Sequence, residues 1–158
     1  MTVTNVGTAA IVEGRDIILP AAPPYTYLGV AEGLMPGVAI LAASNLSGAL
    51  ANVLLCAHVL ECLLKACLSH AGIEEKVLTG KDLGHNLIGL WNLATSKGAP
   101  IPIVAPSWVA RLSDLHNRPF HLRYSTNVHG VVLPATEPMV SNLNEWVAAV
   151  RTHVIIRA

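Results

Sequence analysis

The stretch His58-Val-Leu-Glu-Cys-Leu-Leu-Lys65, closing an apolar run that begins near Leu34, decides how this chain folds. At about 100° per residue, positions 58, 61 and 65 fall within roughly 60° of one another. His58, Glu61 and Lys65 therefore share one helical face, while Leu60, Leu63 and Leu64 point elsewhere. Upstream, Pro36 suits the first turn of a helix, and Gly72 offers a C-terminal stop with no proline between them. The pattern predicts one helix from about residue 36 to 71, roughly 50 Å long. It is apolar around most of its circumference, as befits a central helix packed on several sides and reaching a second subunit. Glu61 and Lys65, four apart in the favourable order, read as an ion pair on that helix.

Outward from this helix the chain divides at residue 36. Residues 1–35 mix β-branched residues with Pro20, Pro23, Pro24 and several glycines, which predicts an extended arm or a small hairpin joining Ile11-Val12 to Ile17-Ile18-Leu19. Residues 36–158 read as a mainly α domain, an up-and-down bundle of four to five helices. After the long helix comes one from near His85 to Ser96, with Asp82 as its cap and Gly98 as its end. The next starts at Pro106 or Ser107, carries Trp108, Leu112 and Leu115 inward, and stops near Asn117 before Pro119. Residues 118–134 form a long loop, with Val131-Val132-Leu133 as a short strand. A last helix begins at Pro138 and places Leu143, Trp146, Val147 and Val150 on one face.

Of 158 residues, 53% are hydrophobic and only 13% charged, which excludes a disordered chain and leaves few charges to cover its surface. A homodimer or higher homo-oligomer is the expectation. Lys and Arg balance Asp and Glu at formal net charge +0, so no general basic field holds a long nucleic acid, and any nucleotide contact is local. Cys56, Cys62 and Cys67, six and five residues apart along one helix, are too far apart to bridge and read as buried free thiols of a reducing compartment. With no basic-then-apolar leader, the expected location is cytoplasmic. The uncharged run Leu34–Ala57 is long enough to cross a bilayer, but Ser44, Asn45, Ser47 and Asn52 within it argue against a membrane span.

Chemistry-bearing residues concentrate in two places. His58, Glu61 and His85 are candidates to line a cleft. Arg118, His121, Arg123 and His129 crowd a loop with Phe120 and Tyr124, where cations interleaved with aromatics can hold a phosphate and stack a base. His58 and Glu61 stand three apart as half of a helical metal pair, but no second carboxylate-and-His pair accompanies them, so neither metal nor cofactor is expected. No glycine-rich phosphate loop, zinc-type cysteine spacing or nucleophile elbow occurs.

The succession of His58-Val-Leu-Glu61-Cys-Leu-Leu-Lys65-Ala-Cys-Leu, Gly84-His85-Asn86-Leu87 and Leu115-His-Asn-Arg-Pro-Phe-His-Leu-Arg123-Tyr124 resembles the HEPN superfamily over roughly residues 40 to 155. The resemblance implies a dimerising helical bundle with a cleft at its two-fold axis. Some members are metal-independent endoribonucleases of toxin–antitoxin or defence systems, in which an Arg four to six positions before a His forms half of a composite site. Arg111 with His116, and Arg123 with His129, match that spacing. Arg would stabilise the phosphorane while His moves protons. Leu112 follows Arg111 where a polar residue is usual. Arg123 is followed by Tyr124, as in members of the Arg-Tyr-Pro type that bind nucleotides, although Ser125 replaces the proline. The expectation is therefore a nucleotide or short single-stranded RNA bound at the dimer cleft through Lys65, Arg118, Arg123 and Tyr124. The alternatives are the ribonuclease and a non-catalytic interaction module, with a nucleotidyltransferase-type protein as partner.

Overall fold

A computed structural model describes residues 2–6, 9–13, 22–124 and 129–156, the first two segments as backbone. It is mainly helical. A short antiparallel hairpin, β1 (Thr2–Val6) with β2 (Ala9–Glu13), pairs Thr2 with Glu13 and Val6 with Ala9. Six helices follow among the described residues: α1 (Tyr25–Ala42), α2 (Leu50–His70), the single turn α3 (Glu75–Leu78), α4 (Leu87–Ser96), α5 (Ser107–His116) and α6 (Thr136–Ile156).

The expected single helix over 36–71 is two helices. Its break lies at Ala43–Ala49, where Ser44 Oγ donates to the Leu41 carbonyl at 2.8 Å and accepts the Leu46 N–H at 3.0 Å. Ser, Asn and Gly in this segment offer the backbone partners outside the helical ladder, so the ladder stops. Two later side chains hold the turn: Asn52 Nδ2 and Thr136 Oγ1 both donate to the Ser47 carbonyl, at 2.8 and 2.7 Å. The N-terminal arm is correspondingly shorter than residues 1–35, because α1 begins at Tyr25 directly after Pro23-Pro24. Pro36 sits inside α1 on its exposed side, while Leu28, Ala31, Met35 and Val38 face the core. The hairpin uses β1 rather than residues 17–19, which lie outside the described residues. Residues 131–133 are not a strand.

α2 is the axis of the bundle and packs against α1, α4, α5 and α6. Every residue from Val59 to Leu68 is buried, so this helix is enclosed all round. By length and composition α1 and α2 could each cross a membrane, with 28% and 72% of their apolar windows buried in the fold. The uncharged run Leu34–Ala57 is divided between them by the turn and is not one segment. Cys56, Cys62 and Cys67 are buried free thiols, as their spacing predicts. At the other side of the core the chain's three tryptophans join α4, α5 and α6: Trp146 stacks on Trp108 and meets Trp91 edge-on, with centroids 5.5 and 5.0 Å apart.

Candidate functional site

An enclosed helix has no solvated face for Glu61 and Lys65, and both are about 95% buried. A buried charge must be matched by a partner and by hydrogen bonds. Lys65 Nζ donates to Glu61 Oε1 at 2.7 Å, one turn along α2. The second oxygen, Oε2, meets His85 Nδ1 at 2.9 Å and His116 Nε2 at 2.6 Å. An ionised carboxylate only accepts, so both ring nitrogens carry protons toward it. That fixes the tautomers: His85 is left with Nε2 as its outer nitrogen, and His116 with Nδ1, which is buried without a partner. Burial by itself would raise the Glu61 pKa, but hydrogen bonds from His116, Lys65 and His85 outweigh it and bring it down to about 2.

The Gly84-His85-Asn86-Leu87 segment delivers His85 through a different task for each residue. Gly84 N donates to the Gly80 carbonyl at 2.8 Å, and the chain passes so close that a Cβ at position 84 would lie 2.9 Å from that oxygen. Asn86, rather than the expected Asp82, caps α4 by accepting the Gly89 N–H at 2.9 Å. Leu87 is fully buried and anchors the helix. His85 between them is turned inward to Glu61, with its side chain 35% exposed. On the other side, α5 ends at His116 and the chain turns at once through Asn117–Tyr124. Phe120 adopts φ 67°, a conformation a bulky side chain takes only when its surroundings hold it there. Here Phe120 N–H donates to the Asn117 carbonyl, and its own carbonyl accepts from Arg123 and Tyr124 N–H, at 2.7 to 2.9 Å. Its ring meets His85 edge-on at 5.4 Å and Tyr124 at 6.4 Å, and the Arg123 guanidinium lies 5.7 Å from its centroid.

Between these segments lies a cavity of about 150 Å³ lined by Lys81, Gly84, His85, Asn117, Arg118 and Phe120 together with Thr79 and Gly80. Its lining among the described residues contains cations and hydrogen-bonding groups but no carboxylate. Glu61, directly behind His85, is already neutralised by Lys65. His85 lines this cavity, and Nε2 is its nitrogen that Glu61 does not engage.

The residues expected from sequence fall into separate groups. His58, Glu61, Lys65, His85, Arg118, Arg123 and Tyr124 belong to this corner, though Lys65 is buried and contributes by charging Glu61 rather than by touching a surface ligand. His58 is half-buried with its ring 3.9 Å from Cys62 Sγ. Burial lowers its pKa, Glu61 partly offsets that, and His116, Arg123 and Lys65 lower it further. Arg111 and His116 lie on different sides of α5. Arg111 is exposed beside Trp108, Pro138 and Asn142 at another cleft, and His116 is buried. His129 is exposed, and Ser125 lies outside the described residues. Phe120, expected from the loop composition, lies here too, while Lys81 and Asn117 are site residues that the sequence pattern does not single out. Tyr27 is another: its ring sits 5.8 Å from Lys65 Nζ, and its hydroxyl donates to the Glu75 carboxylate. Burial and that bond raise the phenol's pKa.

Glu61, His85 and His116 each present one potential metal-ligand atom, all within 4.8 Å. The chemistry of the set fits a hydrogen-bonded ion pair better than a metal centre. The Lys65 ammonium occupies the other Glu61 oxygen, where it would oppose a divalent cation. Ligation through His116 Nε2 would also move its proton to Nδ1, a buried atom that has no acceptor. Comparison with family models, curated proteins and solved structures returns no match.

Proposed function

We propose that this chain is a HEPN-like protein that binds a nucleotide or a short stretch of single-stranded RNA. The phosphate is held by Arg118 and Lys81 beside His85, and the base lies on the Phe120–Tyr124 face next to Arg123. The observation that carries this is the carboxylate-free cationic cavity in which a buried Glu61 holds one edge of His85. Arg gives bidentate contact to phosphate, and the aromatic rings offer stacking surfaces for a base. The three motifs behind the resemblance lie 24 and 55 residues apart at their bonded atoms and nevertheless meet at this one corner, which supports the family reading. A second copy across the cleft belongs to the same proposal and is tested by sedimentation.

The ribonuclease reading through Arg111 and His116 is not favoured, because His116 is enclosed and committed to Glu61. The experiment is thermal unfolding with mononucleotides and short RNA in EDTA. Binding at about a hundred times the dissociation constant adds roughly 2.7 kcal/mol of stability. We expect a rise in Tm that disappears in Arg118→Ala combined with Arg123→Ala, with the RNA left intact. No shift for any nucleotide overturns the proposal. Cleavage lost in His129→Ala would replace it with the ribonuclease.

A further inference from the structure

We infer that the cavity beside His85 is specific for a terminal phosphate, a phosphomonoester dianion, and that His85 takes up one proton when that group binds. The inference rests on the nucleotide-binding reading above and narrows it to one end of the ligand.

Three observations lead there. The first is size. At about 150 Å³ the cavity is well below the 300 Å³ or more that encloses a drug-sized ligand. It holds a phosphoryl group, and the sugar and base must lie outside it, toward Phe120. An internal phosphodiester has to carry chain away on two sides, whereas a terminal phosphate carries it away on one.

The second is charge. Lys81 and Arg118 face the cavity, with no carboxylate in its described lining. The carboxylate bonded to His85, Glu61, has Lys65 on one oxygen and two imidazole N–H donors on the other. Two fixed cations and a basic nitrogen suit a dianion better than the single charge of a diester.

The third is the tautomer. The groups beside His85 are Glu61 from α2, itself paired with Lys65, His116 from α5, and Lys81, Arg118 and Phe120 from the two turns. Glu61 holds the Nδ1 proton, so a neutral ring keeps its lone pair on Nε2, and the ring lines the cavity. A phosphate oxygen placed against a lone pair is repelled. With one proton added from solvent, the same nitrogen donates to the phosphate, and the imidazolium is bracketed by Glu61 on one edge and the dianion on the other. No bond is made or broken beyond this protonation. The ring orientation needs no change.

Titration calorimetry at about pH 8, where an ordinary imidazole is neutral and a phosphomonoester is a dianion, tests this. The probes are inorganic phosphate, AMP and the dinucleoside ApA, which has only an internal diester. Each is titrated in buffers of different ionisation enthalpy. We expect uptake of about one proton with AMP and with inorganic phosphate, and none with ApA. AMP should bind at least about tenfold more tightly than ApA. His85→Gln should bind AMP more weakly and without proton uptake, its fold checked by urea unfolding. AMP binding with no proton exchange, or ApA binding as tightly as AMP, overturns the inference and leaves the nucleotide-binding proposal standing. Binding of none of the probes overturns both.

Discussion

Removing the Glu61 carboxylate should nearly unfold the protein, and removing it together with its ammonium partner should not. In Glu61→Ala, Lys65 is left 94% buried at its side chain with no counter-ion, because Glu61 supplies its ion pair. Breaking a buried pair in this way costs about 3 to 5 kcal/mol. His116 Nε2–H, in a side chain with no exposure, also loses its acceptor, which adds roughly 1 to 3 kcal/mol. His85 is one-third exposed and can turn its N–H to water, so it adds little. Sub-additivity in a shared network brings the total to about 5 kcal/mol. That consumes the whole margin of a domain at the low end of the usual 5 to about 15 kcal/mol range. In Glu61→Leu with Lys65→Met both charges leave and the volume stays filled, so most of the loss is recovered. The assay is equilibrium urea unfolding near pH 7.5, followed by far-ultraviolet circular dichroism. A loss below about 1 kcal/mol in Glu61→Ala, or a double variant as unstable as the single one, would refute the reasoning.

Three further outcomes follow from the same geometry. The Glu61 pKa is depressed from 4.5 to about 2, so its contribution is complete above 4.5 and is lost as pH falls toward 2; at 1.36 kcal/mol per unit this is about 3 kcal/mol. Acid titration of stability should show that slope in the wild type and a flatter one in Glu61→Gln. In Gly84→Ala the new methyl would press on the Gly80 and Thr79 carbonyls, at 2.9 and 3.2 Å, both backbone atoms. We expect a loss of about 1 to 3 kcal/mol in urea unfolding together with weaker nucleotide binding; an unchanged midpoint would mean that the crossing is not held. Burial pushes all three thiols up to about 12, so a disulfide reagent at pH 8 should leave the native protein unlabelled and label three cysteines in urea.

Local signals carry the helices well in this chain. The ends of α4 and α5 fall where Gly98, Pro106 and Asn117 place them, because capping and proline chemistry act within a few residues. Where one continuous helix is expected, the competing signal is equally local. Ser44-Asn45-Leu46-Ser47-Gly48 is a turn composition, and the Ser44 hydroxyl satisfies the backbone outside the helix. Uninterrupted hydrophobicity hides it. Pro36 misleads in the opposite sense, because a proline on the solvent side of α1 is compatible with a helix already under way.

The site is legible in its parts and hidden in its assembly. Glu61, Lys65 and His85 stand out on motif and helical face, but the contact of Glu61 with His85 spans 24 residues and that with His116 spans 55. No periodicity reports such separations, which are created when α4 and α5 pack on α2. One inference was nevertheless open from the sequence. A helix apolar on all sides leaves no solvent for a carboxylate at its middle, and an ionised group there needs partners to satisfy both oxygens. Lys65 can reach only one of them from the same helix. The other must take donors from elsewhere in the chain, and histidines at the end of one helix and just before another are suited to it, because each also has a second nitrogen. For His116 that nitrogen is sealed in the core, whereas the His85 ring lines the cavity. The same carboxylate therefore makes one imidazole structural and leaves the other to the ligand role proposed for it.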